Sequence, residues 1–535
     1  MKLKYTGLLM ITAAMLLGSC KNNKDEIFED PYAGGTPPLG IIVNRQQVPV
    51  PSAGGIGTTV SIAAAGLMPY KDRIKFLFNG QEAEIAEITE SGAKVIVPGK
   101  ASSGVTSFQI DGQLVFGPNF TVIGKINKDF TYKVVNGTNG IINRVLTVAS
   151  GNNLLLGDFT NFDNKGLVRQ IRRIVRTLPD GTYDRSLLSG DGANGPLYDM
   201  AVVNSFWYIG GRFSGYAQRD GISNITRLTT NGQIDTVLVD TYEHKTKYVS
   251  RFNGGTDGTI YKVYASGSKL IVTGDFTYYL SRRYDQPSYQ YRDSTIIDSI
   301  DVRQFAKLNT DGSLDKTWRF DPNAPGYKGQ LGKSWTGANG PISSTIMHAD
   351  GKILAYGRFS KFDDATVGNI VRLNADGTVD ATFNVGGAGT DEAISYVSYN
   401  AKLNKYLVVG RFKRFNQTDA LNMVLLNYDG TVDQSFQPKA FEGGVPTFCK
   451  LLDDGLCLIN GYFKSYDGAA RNGFLVTNLT GELADGYNTI GNLLGSLTDV
   501  LETTSADGKR ALLLVGLFYT FDNQPAFNMV RVTVE

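Results

Sequence analysis

The sequence contains few of the residues on which metal centres and redox cofactors depend. Its 535 residues include 2 histidines and 3 cysteines, too few for zinc clusters, haem or iron–sulfur ligation. Proline is also sparse, at 17 residues, so the composition is not that of a disordered, proline-rich chain. We therefore expect no metal ion and no cofactor.

An excess of charge of either sign is also missing. The 53 Lys and Arg residues nearly balance the 51 Asp and Glu residues, for a formal net charge of +2, and Lys2 and Lys4 account for that surplus. A neutral body is not drawn to phosphate backbones, so nucleic acid is not an expected partner. Glycine (62 residues) and aromatic residues (11%) are abundant instead, which is typical of a turn-rich β-protein.

The apolar run at the amino terminus is too short to cross a membrane. Leu8–Leu17 follows the basic segment Met1–Lys4, and a bilayer core needs about 20 apolar residues. This pattern predicts a signal peptide over residues 1–19. The run ends in Leu-Gly-Ser-Cys20, which resembles a bacterial lipobox and implies that Cys20 carries lipid and anchors the chain to a membrane.

Residues 20–38 predict a solvated tether between the lipid and the first domain. The segment is charged and then rich in Gly and Pro, with no apolar periodicity. Its acidic cluster, Asp25-Glu26 and Glu29-Asp30, resembles the surface-export signal of Bacteroidetes lipoproteins. That resemblance implies an outer-membrane protein that faces the outside of the cell.

Residues 39–124 predict a small β-sandwich. Short β-prone runs such as Thr58–Ala63, Ile74–Phe78 and Thr106–Ile110 are separated by turn residues, and Asn79-Gly80 is a strong hairpin turn. The order of these runs and turns resembles immunoglobulin-like IPT/TIG domains. Such domains act as spacers and adhesion modules, and we expect a spacer here.

The remainder of the chain, residues 125–535, is built from repeats. Gly-x-Phe occurs seven times, with starts separated by 54, 63, 83, 53, 51 and 55 residues. The copies begin at Gly157, Gly211, Gly274, Gly357, Gly410, Gly461 and Gly516. Each copy predicts four antiparallel strands, for example Ile342–His348, Lys352–Phe359, Asn369–Asn374 and Val379–Phe383, joined by Asp-Gly turns. Four strands about every 50 residues indicate a β-propeller blade.

The ends of the repeat array predict how the ring closes. The last copy stops after its third strand, and the segment Asn127–Val134 ahead of the first copy has the pattern of the missing fourth. The predicted fold is therefore all-β: an immunoglobulin-like sandwich followed by a seven-bladed propeller closed by an N-terminal strand. The repeat resembles the delta-sixty propeller repeats. The whole arrangement resembles Bacteroidetes surface lipoproteins encoded beside SusC/SusD-type nutrient importers, and this resemblance implies an importer of that type as a partner.

Two long connections depart from the repeat. The third copy spends 27 residues from Phe276 to Arg303, and the next connection, Arg319–Gly340, is also extended. Both should rise from one face of the propeller, and long loops are commonly functional. Their aromatic and Arg residues are candidates to contact a glycan or a peptide. These candidates are Tyr278, Tyr279, Arg282, Arg283, Tyr284, Tyr289, Tyr291, Tyr327 and Trp335. A lobe packed on itself or on the sandwich is the structural alternative.

Evidence for catalysis is weak in this sequence. The two imidazoles, His244 and His348, occur in different contexts without a nucleophile elbow. Propeller glycosidases place carboxylates near the inner strands, and the corresponding candidates here are Asp391, Glu392, Asp199 and Asp499. We favour a non-enzymatic binding or accessory subunit of a glycan or peptide uptake system and assign no catalytic residue. A propeller glycoside hydrolase or lyase and a purely structural docking subunit are the alternatives.

Three repeated or paired features have structural explanations. The Asp-Gly-x-[Leu/Val]-Asp turns, as in Asp376–Asp380, supply too few oxygens for an EF-type calcium loop, so we expect capping of local amides. We expect the charged residues inside Gly-x-Phe, such as Arg358 and Arg411, to form salt bridges between blades, with a ring of charge around the propeller axis as the alternative. Cys449 and Cys457 flank one turn, and we expect buried thiols there, with a disulfide left open.

Overall fold

The computed structural model describes residues 38–240, 246–284 and 295–535. The predicted signal peptide and Cys20 lie outside these residues. The described residues contain β-strands and two short 3₁₀-helices, Met68–Tyr70 and Tyr327–Gly329, and no α-helix. The all-β prediction is confirmed. None of the described residues belongs to a helix that is long and apolar enough to span a membrane.

The first domain is one seven-stranded sheet that curls around its own core. Its strands are Ala53–Gly54, Thr59–Ala63, Lys75–Phe78, Gln81–Thr89, Gly92–Ile96, Gly104–Ile110 and Gln113–Val122. The long strand Gln81–Thr89 pairs first with Lys75–Phe78 and then, after a register shift, with Gly92–Ile96. It therefore joins the two halves of the predicted sandwich. Alternating residues of both halves, such as Val60, Phe76 and Phe108, form the core.

The second domain repeats one antiparallel sheet around a ring. Seven such sheets follow one another in the described part of the chain, and we number them as blades 1 to 7. Blades 1 to 4 consist of Ile142–Thr147, Asn153–Gly157 and Ile174–Thr177; Leu197–Val203, Phe206–Gly211 and Ile225–Thr229; Thr259–Ser266, Lys269–Asp275 and Phe305–Leu308; and Ile342–Met347, Ile353–Gly357 and Ile370–Leu373. Blades 5 to 7 consist of Ile394–Asn400, Lys405–Gly410 and Met423–Asn427; Pro446–Leu451, Cys457–Gly461 and Phe474–Thr477; and Leu493–Thr504, Arg510–Phe521 and Met529–Val534.

The first strands of the blades line the centre of this ring. Each contacts the first strand of the next blade, and that of blade 7 contacts that of blade 1. Apolar clusters fill the spaces between neighbouring blades; one of them combines Leu354 and Tyr356 of blade 4 with Val397 and Val408 of blade 5. Stacking therefore buries blade faces that a lone sheet would expose.

The predicted fourth strand is reduced to one bridging residue in blades 1 to 6. In blade 4 the bridge joins Leu373 and Val379. The turn is held by side chains instead, because Asp376 accepts a hydrogen bond from the Thr378 N–H at 2.9 Å and Asp380 accepts one from the Thr382 N–H at 3.0 Å. The turn aspartates thus cap local amides, as expected, and this capping diverts the chain before a full strand can form.

The N-terminal closing strand is present, although it is shorter than predicted. Ile126–Lys128 pairs antiparallel with Met529–Val534 of blade 7 and so adds a fourth strand beside the three strands of that blade. Just beyond it, Asp129 forms a buried ion pair with Arg531 at 2.6 Å. The two ends of the propeller are therefore joined in one sheet.

The glycine of Gly-x-Phe lies where two strands come unusually close. A Cβ atom on Gly357 would be 2.3 Å from the carbonyl oxygen of Pro341, so only glycine fits. The following Phe359 is buried, and its N–H donates to Asn369, whose side-chain amide also donates to the Thr390 carbonyl oxygen at the entrance to the next blade. Gly-x-Phe and this asparagine together fasten one blade to its neighbour.

Short hairpins extend the loops. They comprise Gly215–Tyr216 with Arg219–Asp220, Thr236–Val239 with Lys247–Ser250, Lys361–Phe362 with Ala365–Thr366, Arg414–Phe415 with Thr418–Asp419, Phe441–Glu442 with Ser465–Tyr466 and Ala469–Ala470, and Gln524–Pro525 against blade 7. Cys449 and Cys457 are buried free thiols, and the register places Cys457 opposite Leu451 rather than opposite Cys449.

Candidate functional site

The two long insertions are joined in a single sheet. Its five strands, in order, are Gly255–Thr256, Tyr278–Arg283, Ile296–Asp301, Leu331–Ser334 and Phe320–Pro325. The join is a parallel pairing of Asp301 with Lys333. Because the strands of a blade are antiparallel, the loop between its second and third strands leaves from the same face as the connection to the next blade. We call this the loop face.

An aromatic contact links the two insertions on this sheet. The rings of Tyr278 and Tyr327 meet edge to face with centroids 5.0 Å apart, and both side chains are half-buried. The Lys328 ammonium lies 5.2 Å from the centroid of the Tyr327 ring. These rings are accessible to a ligand.

Tyr279 belongs to the interior and is not available to a ligand. Alternation along the strand turns it away from Tyr278, so it is 2% exposed in the core of blade 3. Its hydroxyl donates to the Gly312 carbonyl oxygen. The sequence assignment of Tyr279 to the ligand site is therefore wrong.

The other candidates of the third-blade insertion have mixed surroundings. Arg282 donates to the Ser223 hydroxyl at 3.1 Å, and burial lowers its pKa. Arg283 forms an ion pair with Asp298 at 3.2 Å. Tyr284 is half-buried, and burial raises its pKa. Tyr289 and Tyr291 lie outside the described residues.

Trp335 supports a buried ion pair. The Arg319 guanidinium lies 5.3 Å from the Trp335 ring centroid and forms two hydrogen bonds, of 3.0 and 2.8 Å, with Asp363. The Arg319 carbonyl oxygen also accepts the Trp335 N–H at 3.0 Å. Because Trp335 is half-buried against this pair, its replacement would disturb structure as well as any ligand contact.

A polar cleft of about 920 Å³ opens on the loop face between blades 4 and 5. Its walls carry Arg358, Arg411, Asp391 and Glu392 beside hydroxyl and amide groups of Asn339, Ser360, Thr366 and Thr390. Arg358 and Arg411 are exposed, and neither forms an ion pair with a described residue. The predicted inter-blade salt bridges are wrong for these two residues, which leaves both guanidinium groups available to a ligand.

Asp391 holds a neighbouring loop in place through hydrogen bonds to its backbone. Its carboxylate accepts the backbone N–H groups of Lys413 and Arg414 at 2.9 and 3.1 Å. Burial would raise its pKa, but these amides and the Arg414 charge hold the pKa below its usual value. Asn139, Asn194, Asp257 and Asn339 accept the corresponding pairs of amides in other blades. The residue at the position of Asp391 therefore holds the same loop in several blades, which is a structural role.

Asp199 and Asp499 are also engaged in structure. Arg144 lies between them at the ring centre, with nitrogen–oxygen distances of 3.3 Å to Asp199 and 3.1 Å to Asp499. The Asp499 carboxylate is the main cause of a raised pKa at Arg144. Each aspartate also accepts a backbone N–H from the next blade, that of Val263 or Val145. These carboxylates therefore link blades 7, 1, 2 and 3.

His348 lies in an aromatic pocket. It is 5% exposed, its Nε2 makes a 2.9 Å hydrogen bond with the Tyr406 hydroxyl, and the rings of Tyr399 and Tyr428 pack edge to face against it. Burial lowers the pKa of His348 to about 4, so it is neutral near pH 7. His244 lies outside the described residues.

The ring centre carries two aromatic residues that sequence reasoning missed. In every described blade the first strand has a β-bulge beside the Gly-x-Phe glycine, and the bulged residues are Asn143, Tyr198, Tyr261, Ser343, Ser395, Thr447 and Thr498. Tyr198 and Tyr261 are half-buried, with ring centroids 5.5 Å apart. Burial raises the pKa of both, and the Arg212 charge opposes that shift. Tyrosine where other copies have Ser, Thr or Asn was the available signal.

Comparisons with known proteins support the repeat and leave the function unassigned. A family model described as a β-propeller domain of unknown function, DUF5122, matches residues 348–383 and 404–436. A second domain of unknown function, DUF5008, matches residues 16–118. No curated protein matches.

Three solved structures match this chain at low sequence identity and low TM-score. The computationally designed Ika8 protein is 10% identical, with a TM-score of 0.38, covering 76% of this chain and all of that one. The extracellular domain of a protein described as a hybrid two-component system from B. thetaiotaomicron is 11% identical, with a TM-score of 0.35, covering 77% of this chain and 42% of that one. An auxiliary nutrient binding protein from Bacteroides thetaiotaomicron is 10% identical, with a TM-score of 0.26, and the match covers 92% of this chain and 98% of that one. Similarity this distant does not identify a ligand.

Proposed function

We propose that this protein is a lipoprotein of the outer cell surface that binds a nutrient without transforming it. In this proposal Cys20 carries the lipid, and residues 20–38 and the sandwich hold a seven-bladed propeller away from the membrane. The loop face meets the ligand or a SusC/SusD-like importer. One observation carries the proposal: the two insertions form one sheet on the same face as the 920 Å³ cleft.

The chemistry of the loop face favours a glycan over a peptide. The accessible rings of Tyr278 and Tyr327 can stack on sugar rings. The cleft presents amide, hydroxyl and guanidinium groups, which can bond to sugar hydroxyls. Ligand sites commonly combine a few such polar groups with aromatic surfaces.

The geometry of the carboxylates supports binding without turnover. Asp199 and Asp499 hold Arg144, and Asp391 clamps a loop. An acid–base pair needs two carboxylates that are free to face a scissile bond. Of the four candidates, Glu392 lies exposed in the cleft, and its carboxylate makes no ion pair or hydrogen bond with a described residue.

A glycan panel titrated against the purified mature protein tests this function. We expect binding without product, and we expect Tyr278→Ala combined with Tyr327→Ala to weaken binding about tenfold, because each aromatic contact is worth about 0.5–1.5 kcal/mol. Phe116→Ala, which alters an exposed ring of the sandwich, is the matched control and should bind normally. Turnover that is lost in Glu392→Gln would instead establish a hydrolase or lyase.

Placement and partner need separate measurements. Cys20→Ser should release the protein from the membrane fraction, and protease added to intact cells should digest the wild type. Co-purification with a SusC/SusD-like pair would support the accessory role. Co-purification with no ligand in the panel would favour the purely structural docking subunit.

A further inference from the structure

One buried arginine differs from the others in this molecule. Five arginines are less than 9% exposed among the described residues, and four of them form an ion pair with an aspartate at 2.6–2.8 Å. These pairs are Arg176–Asp184, Arg319–Asp363, Arg372–Asp380 and Arg531–Asp129. Arg471 is 3% exposed and has no such carboxylate among the described residues.

The guanidinium group of Arg471 is only partly satisfied. Its Nη1 donates to the carbonyl oxygens of Lys100 at 3.2 Å and Ala470 at 2.6 Å, while its Nε has no hydrogen-bond partner. Burial lowers the pKa of Arg471 to about 10, and no nearby carboxylate opposes that shift. A buried charge without a counter-charge is unfavourable. An anion bound at this site would therefore supply the missing counter-charge and accept the unpaired Nε–H.

The repeat shows that the fold does not require an arginine here. The N–H of Arg471 donates to the carbonyl oxygen of Lys464, and the N–H groups of Val367, Ala420 and Ala526 make the same bond in blades 4, 5 and 7. These three residues are apolar, and Ala420 is 1% exposed. Blade 6 thus places a charge where its neighbours place a small apolar side chain.

Arg471 lines a cleft of about 290 Å³ between the sandwich and the propeller. Lys100 and Ala101 form the sandwich side, and Asn478, Asn488 and Thr489 belong to the propeller side. The Thr489 hydroxyl is a second buried polar group without a hydrogen-bond partner. Ligand sites are common at such domain boundaries.

Three carboxylates also line this cleft, and lysines engage two of them. Asp467 pairs with Lys100 at 3.0 Å, and Glu482 pairs with Lys439 at 2.9 Å. The third, Asp485, is exposed. None of the three comes within ion-pair distance of Arg471, so its guanidinium still has no counter-ion among the described residues.

We propose that this cleft binds a small oxyanion, a carboxylate or phosphate group, on Arg471 between the two domains. This cleft shares no lining residue with the 920 Å³ cleft, and the site does not rest on the function proposed above. Two sources can supply the oxyanion: a free anion in solution, or the carboxylates of the tether residues Asp25, Glu26, Glu29 and Asp30. A bound oxyanion would contact Arg471 from the propeller and Lys100 from the sandwich, and so would fix the two domains together.

Calorimetric titration of the mature chain with inorganic phosphate and with acetate, at constant ionic strength, tests the site. We expect saturable binding of at least one anion and at least a tenfold loss of affinity in Arg471→Ala. This variant should fold, because Ala occupies the matching position in blades 5 and 7. Arg73→Ala, which alters an exposed arginine of the sandwich, should bind like the wild type.

A tether variant separates the two sources. In it Asp25 and Asp30 become Asn, and Glu26 and Glu29 become Gln. Tighter phosphate binding in this variant would support the site and identify the tether as its occupant, whereas unchanged affinity would support the site and a free anion. The proposal is overturned if neither chain binds either anion saturably, or if Arg471→Ala binds as tightly as the wild type.

Discussion

The seam that closes the propeller and the junction that attaches the sandwich begin at neighbouring residues, yet they are built differently. At the seam, Ile126–Lys128 joins the blade 7 sheet, and Arg531 pairs with Asp129 and donates to the Pro179 carbonyl oxygen of blade 1 at 2.6 Å. An apolar cluster continues from blade 1 into blade 7 through Leu155 and Leu513. The seam is therefore a continuation of the propeller core.

The junction relies on a few polar contacts. The Ser103 N–H and hydroxyl both donate to the Thr489 carbonyl oxygen, at 2.8 and 3.0 Å, and the Asn523 amide donates to the Ser103 carbonyl oxygen at 3.0 Å. The apolar core of the sandwich contains no propeller residue among those described. This difference teaches that the ring is one cooperative body, to which the sandwich is attached by contacts that single substitutions can weaken.

The largest expected effect is at the seam. Asp129→Ala leaves the Arg531 guanidinium buried without its carboxylate, and breaking a buried pair in this way costs about 3–5 kcal/mol. We expect a loss of that size in the free energy of unfolding, measured by urea denaturation. Asp111→Ala breaks the exposed Arg73–Asp111 pair and should cost less than about 1 kcal/mol. Equal losses in the two variants would remove the distinction between seam and surface.

The second-largest expected effect is a loss of stability at the seam when the pH is lowered. Burial alone would raise the pKa of Asp129, but hydrogen bonds from Thr131 and Arg531 and the Arg531 charge hold it below 3.8. A carboxyl group with a lowered folded-state pKa stabilises the protein above its unfolded-state pKa and loses that effect as the pH falls through the folded value.

The direction of this pKa shift predicts how the free energy of unfolding changes with pH. From pH 7 to about 4 the Asp129 contribution should be constant, and below that it should fall by up to about 1.4 kcal/mol per pH unit. Urea denaturation of wild type and Asp129→Asn between pH 7 and 3 should show the difference between the two proteins narrowing as acid is added. A difference that stays constant would contradict the assignment of the lowered pKa to this pair.

The local parts of the fold could be predicted from the sequence. Asp-Gly turns and Gly-x-Phe repeats mark hairpins whose partners are close in the chain, and the missing last strand indicated how the ring closes. The spacing did not indicate that the fourth strand ends at Val379, because the hydrogen bonds that divert the chain come from the Asp376 and Asp380 side chains.

The candidate site was predictable only in outline. The positions and composition of the two insertions were evident, but the pairing of Asp301 with Lys333 is non-local and leaves no periodic signal. Tyr279 was misassigned because residue type alone does not show which way a strand residue points. Tyr198 and Tyr261 belong to different copies and meet only in the folded ring.

A smaller effect is expected at the junction. Ser103→Ala removes the hydroxyl that donates to the Thr489 carbonyl oxygen and accepts the Val122 N–H at 3.0 Å, and two hydrogen bonds at about 1 kcal/mol each are together worth about 2 kcal/mol. We expect a loss of that size in urea denaturation and faster proteolysis between the domains. Ser61→Ala, an exposed serine of the sandwich, should change neither. A loss as large as that of Asp129→Ala would make the junction as strong as the seam.

The smallest expected effect is that of Arg471→Ala, which can be compared directly with replacement of a second buried arginine, Arg531. Arg531→Ala should destabilise the protein strongly because it orphans Asp129, whereas Arg471→Ala orphans no carboxylate. Arg471→Ala loses two hydrogen bonds to carbonyl oxygens, each worth about 1 kcal/mol, and it also removes the desolvation cost of an unpaired charge. In chloride buffer these terms oppose each other, so the free energy of unfolding should change by less than about 1 kcal/mol. A loss near that of Arg531→Ala would show that Arg471 holds the domains together without any anion.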